Sequence, residues 1–157
     1  MKRLTKKTSC CCKAFNAHSV FQHERRNVVL CTDKGSKTKY VYNNQSSDYL
    51  SNYRVDGGLI SYDETRKCDY LLLNCEKKQS YFIELKGSDI ISAVDQIDKS
   101  IDLLKNKLPG FSFFARIVLT RVNTHDLRDP RLEKLERKVN TLNGDLKKQS
   151  RFLEDIV

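Results

Sequence analysis

Glu84 and Lys86 stand two residues apart in the segment YFIELK, among the apolar side chains Phe82, Ile83 and Leu85. On an extended strand, residues two apart point to the same face. A carboxylate and an ammonium therefore leave an otherwise apolar strand side by side. Burying them is costly unless they pair with each other or hold a metal. Asp69 opens the preceding apolar segment, CDYLLLNC, and the polar loop EKKQS joins the two. A hairpin closed by that loop brings Asp69 to the end that carries Glu84 and Lys86. Two carboxylates and a lysine converging there fit a hard divalent cation, Mg²⁺ or Mn²⁺, which prefers oxygen ligands. Asp69 and Glu84 supply two oxygens and the main-chain carbonyl of Leu85 a third. Such a cation stabilises charge on a phosphorane and acidifies a bound water. Lys86 then orients or deprotonates that water, or offsets charge on the scissile phosphate.

These residues need a sheet to position them. Residues 54–60 (RVDGGLI), 68–75 and 81–86 read as three strands joined by short polar loops, an antiparallel meander. Ser88 is placed to cap a helix, and Ile90, Ile91, Val94, Ile97, Ile101, Leu104 and Leu108 step by three and four along one helical face. Pro109-Gly110 stops it. FSFFARIVLT (111–120) is a further strand, and Leu132, Leu135, Val139, Leu142 and Leu146 predict a last helix over 131–155. Upstream, residues 14–26 could hold a short helix, 27–32 and 37–43 read as strands, and 43–52 as a polar connection. The order of meander, helix, strand and helix predicts an α/β fold: a mixed sheet of meander plus crossover strand, flanked by helices.

Asp69, Glu84-Leu85-Lys86-Gly87 and this element order resemble the PD-(D/E)XK, or restriction endonuclease-like, nuclease superfamily. The resemblance covers residues 54–121, the expected catalytic core of a single domain spanning 1–157. It implies a Mg²⁺- or Mn²⁺-dependent hydrolysis of phosphodiester bonds, with Asp69 and Glu84 as metal-binding acids and Lys86 as the family's lysine. Cys68 stands where the family often has proline. Gln96 matches a glutamine of RecB-like members, although the tyrosine that follows it there is Ser100 here. The alternative on the same fold is a module that binds nucleic acid or a partner without cutting. A homodimer, or a subunit of a larger assembly, is the partner arrangement the family implies.

The bulk properties agree with a polyanion partner, DNA first. Lys and Arg number 29 against 20 Asp and Glu, a net charge of +9. Arg54, Arg66, Lys67, Lys99, Arg116 and Arg121 are candidates for phosphate contacts, as is a basic arm over residues 1–13. Asp56, before Gly57-Gly58, is either an extra acid or a turn residue. His125 reads as a surface residue. No run reaches the ~20 apolar residues of a membrane span, and no apolar leader follows the basic N-terminus, so a cytoplasmic protein with reduced thiols is expected. Cys10, Cys11 and Cys12 with His18 and His23 lack the spaced pairs of a zinc site. No cysteine follows Cys75, as the cluster-bearing RecB-like enzymes would require.

Overall fold

The structure is a computed structural model that describes residues 14, 15, 17–61 and 66–157. The expected basic arm and the triple cysteine at 10–12 lie outside the described residues. In chain order the strands are β1 (Ser19–Glu24), β2 (Val28–Thr32), β3 (Lys39–Asn43), β4 (Leu50–Arg54), β5 (Tyr70–Asn74) and β6 (Gln79–Lys86). Helix α1 (Ile90–Leu104), β7 (Ser112–Leu119), α2 (Pro130–Thr141), β8 (Leu146–Ser150) and β9 (Phe152–Ile156) follow. They form an α/β fold with a mixed six-stranded sheet in the order β1-β4-β5-β6-β7-β8 and a three-stranded sheet in the order β2-β3-β9.

The meander is present as β4, β5 and β6, all antiparallel. α1 then crosses over so that β7 lies parallel to β6, and α2 does the same between β7 and β8. The large sheet is covered on both faces. Helix residues Ile90, Val94, Ile97, Ile101, Leu132, Leu135 and Val139 pack on Leu71, Leu73, Phe82, Ala115 and Ile117. On the other face the small sheet contributes Cys31, Tyr40, Tyr42 and Leu153 against Leu72, Tyr81, Ile83 and Val118. β5 is buried on both sides, which explains its unbroken YLLL run. β6 alternates: Phe82 and Glu84 turn toward the helices, Tyr81, Ile83 and Leu85 toward the small sheet.

Five expectations are corrected. Residues 14–26 contain β1, not a helix, and the strand expected at 54–60 lies earlier, at Leu50–Arg54. Residues 55–60 instead form a tight turn: Gly57 has φ +67°, and a Cβ on Gly58 would sit 2.3 Å from the Arg54 carbonyl oxygen. Asp89, not Ser88, caps α1, accepting from the Ser92 N–H at 2.9 Å. The helix expected to 155 stops at Thr141. Asn143 there adopts φ +63°, and a Cβ on Gly144 would lie 1.7 Å from the Phe113 carbonyl oxygen, so the chain turns away into β8 and β9. Cys31 and Cys68 are free buried thiols, whereas Cys75 is disulfide-bonded, against the expectation of reduced cysteines. No helix among the described residues is long and apolar enough to cross a membrane.

Candidate active site

The β5–β6 register pairs Tyr70 with Ile83, so one step further Asp69 stands opposite Glu84. The ladder frays there, and the Asp69 side chain takes over as acceptor: the Leu85 N–H donates to its Oδ2 at 2.9 Å. Leu85 itself packs its side chain into the core beneath the small sheet. Glu84 is only 2 % exposed. Its Oε1 lies 3.8 Å from Lys86 Nζ, and its Oε2 is buried with no hydrogen-bond partner among the described residues. Lys86 Nζ donates to Gln96 Oε1 at 2.6 Å. The structure thus brings together Asp69, Glu84, Lys86 and Gln96, with the main chain of Leu85 between the acids.

Gln96 is more central than its place one step off the apolar stripe of α1 implied. It is buried, and besides holding Lys86 it donates through Nε2 to the Lys67 carbonyl oxygen at 3.0 Å. Ser100, one turn on, donates to the Gln96 carbonyl oxygen and accepts the Cys68 N–H at 3.0 Å. One face of α1 therefore fixes both the lysine and the chain segment that delivers Asp69.

Both acids are pushed above the ordinary carboxylate range. Burial, opposed by the Leu85 N–H, pushes the Asp69 carboxyl up to about 6, with the negative charge of Asp33 adding to the effect. Burial and the neighbouring Asp69 charge push Glu84 up to about 9, against the pull of Lys86. Two buried carboxyls so close together resist ionising at once. Among the described residues no group of three or more His, Cys, Asp or Glu side chains is arranged for a metal. A cation here would rest on two carboxylates, main-chain oxygen and water, a set that suits Mg²⁺, which keeps several waters.

The phosphate candidates separate. Arg54 ends β4 at the rim of the site, its guanidinium carbon 4.5 Å from the Tyr70 ring centroid and Nη1 3.2 Å from Asp33 Oδ1. Arg66 and Lys99 line a cavity of about 280 Å³ with Ser92, Asp95 and Gln96. Arg121 is exposed just beyond β7, at the sheet end where Lys86 pairs with Leu119. Arg116 and Lys67 are corrected: each is only 1 % exposed, too deep to meet a phosphate backbone. Arg116 is consumed by Asp155 and Asp145 on the opposite face of the sheet. Asp56 is a turn residue whose Oδ1 accepts the Lys67 N–H at 3.3 Å. His125 is exposed in the loop before α2.

Sequence reasoning missed Asp33. It sits where β2 turns toward β3, and its charge reaches both Asp69 and Glu84. Its segment, Asp33-Lys34-Gly35-Ser36, reads as an ordinary turn, and nothing local ties it to residues 69–86. No family model, curated protein or solved structure matches this chain.

Proposed function

We propose that this chain is a divalent-cation-dependent nuclease with a restriction endonuclease-like core, hydrolysing phosphodiester bonds in DNA. The observation that carries the reading is Glu84 Oε2: a buried carboxylate oxygen without a hydrogen-bond partner, on a residue facing a second acid and a lysine. A buried unsatisfied group costs about 1–3 kcal/mol and more when charged, a cost that a bound cation would remove.

The donor set fits Mg²⁺ or Mn²⁺, with Asp69 and Glu84 as ligands and the Leu85 carbonyl as a third oxygen. Such an ion, when bound, supplies Lewis acidity at the scissile phosphate and an acidified water. The chain's own groups do the rest. Asp69 is held by the Leu85 N–H through Oδ2, which leaves Oδ1 to serve as the ligand atom. Lys86, anchored by Gln96, holds its ammonium beside Glu84, where it orients the attacking water and offsets negative charge on the phosphate. The net charge of +9 supplies the general attraction for the polyanion.

The test is titration of Mg²⁺ and Mn²⁺ into purified protein with plasmid, linear and branched DNA. Metal-dependent cleavage that disappears in Glu84→Gln and Lys86→Ala supports the reading. Absence of cleavage on every substrate together with absence of metal binding by calorimetry removes it. Metal or DNA binding without cleavage leaves a non-cleaving binding module on the same fold.

A further inference from the structure

The Gly57-Gly58 pair and Asp33 have no place in the hydrolysis itself, yet both converge on Arg54. The turn over 55–60 folds back on the Arg54 carbonyl, which accepts the Leu59 N–H at 3.0 Å, and the approach is so close that only glycine fits at 58. The Arg54 N–H donates to the His18 carbonyl at 3.0 Å. The main chain of Arg54 is therefore clamped from both sides. Its side chain is clamped too. The guanidinium lies over the Tyr70 ring, and the Tyr70 hydroxyl donates to the Thr32 carbonyl at 3.0 Å, next to Asp33. Asp33 Oδ1 closes the circuit at 3.2 Å from Arg54 Nη1. Thus β2 of the small sheet and β4 and β5 of the large one jointly fix a single arginine.

That arginine is not sequestered. Arg54 and Asp33 keep 44 % and 40 % of their side-chain surface. An ion pair so exposed contributes little to stability, too little to explain the construction around it. It is enough, however, to park a flexible side chain in one orientation. A guanidinium can hold a carboxylate with one edge of its fork and a phosphate with another.

We infer that Arg54 binds a substrate phosphate flanking the scissile one, and that Asp33 is a positioning residue that acts through it. The inference rests on the nuclease reading above for the place of the scissile phosphate. Arg54 aligns through Tyr70 with Ile83, three residues short of Lys86 and on the small-sheet face, so the two side chains are offset by roughly 10 Å across the strands and roughly 10 Å along them, wider than one phosphate group. Arg54 therefore serves a neighbour on the same backbone, on the β4 side of Asp69. It acts on binding, and the hydrolytic step stays with the acids and the lysine.

Asp33 permits a test that plain charge cannot imitate. Removing a carboxylate near DNA strengthens binding if the carboxylate only repels phosphate. Removing one that parks Arg54 weakens it. Fluorescence anisotropy of a labelled DNA duplex, measured on a Glu84→Gln background so that nothing is cut, reads this directly. Arg54→Ala should weaken binding about tenfold and lower the slope of log affinity against log salt by about 0.9, the loss of one phosphate contact. Arg54→Lys should recover the slope and little of the affinity. Asp33→Asn should weaken binding about threefold, and Asp33→Asn with Arg54→Ala should bind like Arg54→Ala alone. In the cleaving protein Asp33→Asn should raise KM about threefold, in step with its loss of binding. Equal or tighter binding by Asp33→Asn, or an unchanged salt slope in Arg54→Ala, overturns the proposal. The binding arms need no catalysis: a parent that never cuts DNA but loses affinity with Arg54→Ala removes the nuclease reading and keeps the phosphate contact. A parent that cuts while Arg54→Ala binds normally does the reverse.

Discussion

The large sheet buries charge at two places, and the two are solved in opposite ways. On the face toward the small sheet, Arg116 is 1 % exposed and Asp155 5 %. Arg116 Nη2 meets Asp155 Oδ1 at 3.2 Å, and Nη1 meets Asp145 Oδ1 at 2.6 Å and the Ala115 carbonyl at 2.9 Å. Asp155 further accepts from the Tyr40 hydroxyl at 2.8 Å and from Lys147 Nζ at 2.9 Å. Burial alone would push the Asp155 carboxyl up, yet Arg116, Lys147 and Tyr40 hold it below the usual range. On the helix face, Glu84 is equally buried, but it faces another acid, keeps one oxygen orphaned, and is driven well above the usual range. The first cluster is closed and ties β7 to β9. The second is open in that it keeps one carboxylate oxygen, Glu84 Oε2, without a hydrogen-bond partner among the described residues. Burial depth alone therefore does not separate the two clusters; the satisfaction of their polar atoms does.

Removing one partner from each cluster should separate their roles most sharply. Glu84→Ala or Lys86→Ala should lower DNA cleavage by at least about a thousandfold, roughly 4 kcal/mol of transition-state stabilisation. Urea denaturation of metal-free Glu84→Gln should show stability equal to or above the parent, since the amide keeps the shape of the carboxyl and can never ionise in the buried site. Asp155→Ala should behave inversely. It leaves the buried Arg116 guanidinium with Asp145 as its remaining carboxylate partner, and a loss of about 3 kcal/mol in denaturation is expected. Cleavage per folded molecule should stay near the parent's. A stability loss in Glu84→Gln as large as that in Asp155→Ala would make the two clusters alike and end the comparison.

The sequence signals for these clusters were the same, and that similarity marks how far local pattern can be read. Glu84 and Lys86 interrupt the apolar strand YFIELK, and Arg116 interrupts FSFFARIVLT. The first anomaly was interpretable because Asp69 lies one hairpin away. The second was not, because its partners Asp145 and Asp155 arrive from the chain end, in a region whose leucine spacing continued the helical pattern through Leu142 and Leu146. The break at Asn143-Gly144 and the alternation in FLEDI, with Leu153 and Asp155 buried between exposed neighbours, were the overlooked cues. The meander, the crossover helix and β7 were legible because each pairs with its sequence neighbour. The second sheet was not, since β3 pairs with β9 across most of the chain. Asp33 was hidden for the same reason: its relation to Asp69 is created by sheet stacking.

The open cluster should also respond to pH where the closed one does not. Asp69 and Glu84 have folded-state values raised above those of the unfolded chain, to about 6 and about 9. Groups raised in this way contribute stability that is complete below their unfolded values and is lost as pH rises through the folded ones. Metal-free protein should therefore lose stability between pH 5 and pH 8. The ceiling is about 1.4 kcal/mol per pH unit for each proton the folded state retains, and roughly 2–3 kcal/mol over the range is expected after relaxation at the half-open rim. Thermal melts of the parent, Glu84→Gln and Asp69→Asn in EDTA measure this. The parent should show the steepest slope and Glu84→Gln the flattest. Saturating Mg²⁺ should reverse the trend, because binding displaces the same protons and tightens as pH rises.

The smallest effect expected tests whether the helix face matters to the open cluster beyond packing. Gln96 touches neither of the proposed metal-binding carboxylates; its link to the chemistry is the 2.6 Å contact that holds Lys86. Gln96→Met keeps the volume and the buried methylenes but removes the acceptor for the ammonium and the donor to the Lys67 carbonyl. Lys86 keeps its charge and loses its anchor. Its ammonium then samples positions away from Glu84, so kcat should fall about tenfold, roughly 1.4 kcal/mol, with KM nearly unchanged. Gln96→Glu should restore an acceptor and bring kcat back part of the way, at the expense of tighter Lys86 pairing and a rate optimum moved to higher pH. A Gln96→Met protein that is less stable but turns over at the parental kcat would show that α1 only packs against the site. A parental KM with a reduced kcat would place Lys86 orientation, fixed by the helix, within the catalytic step.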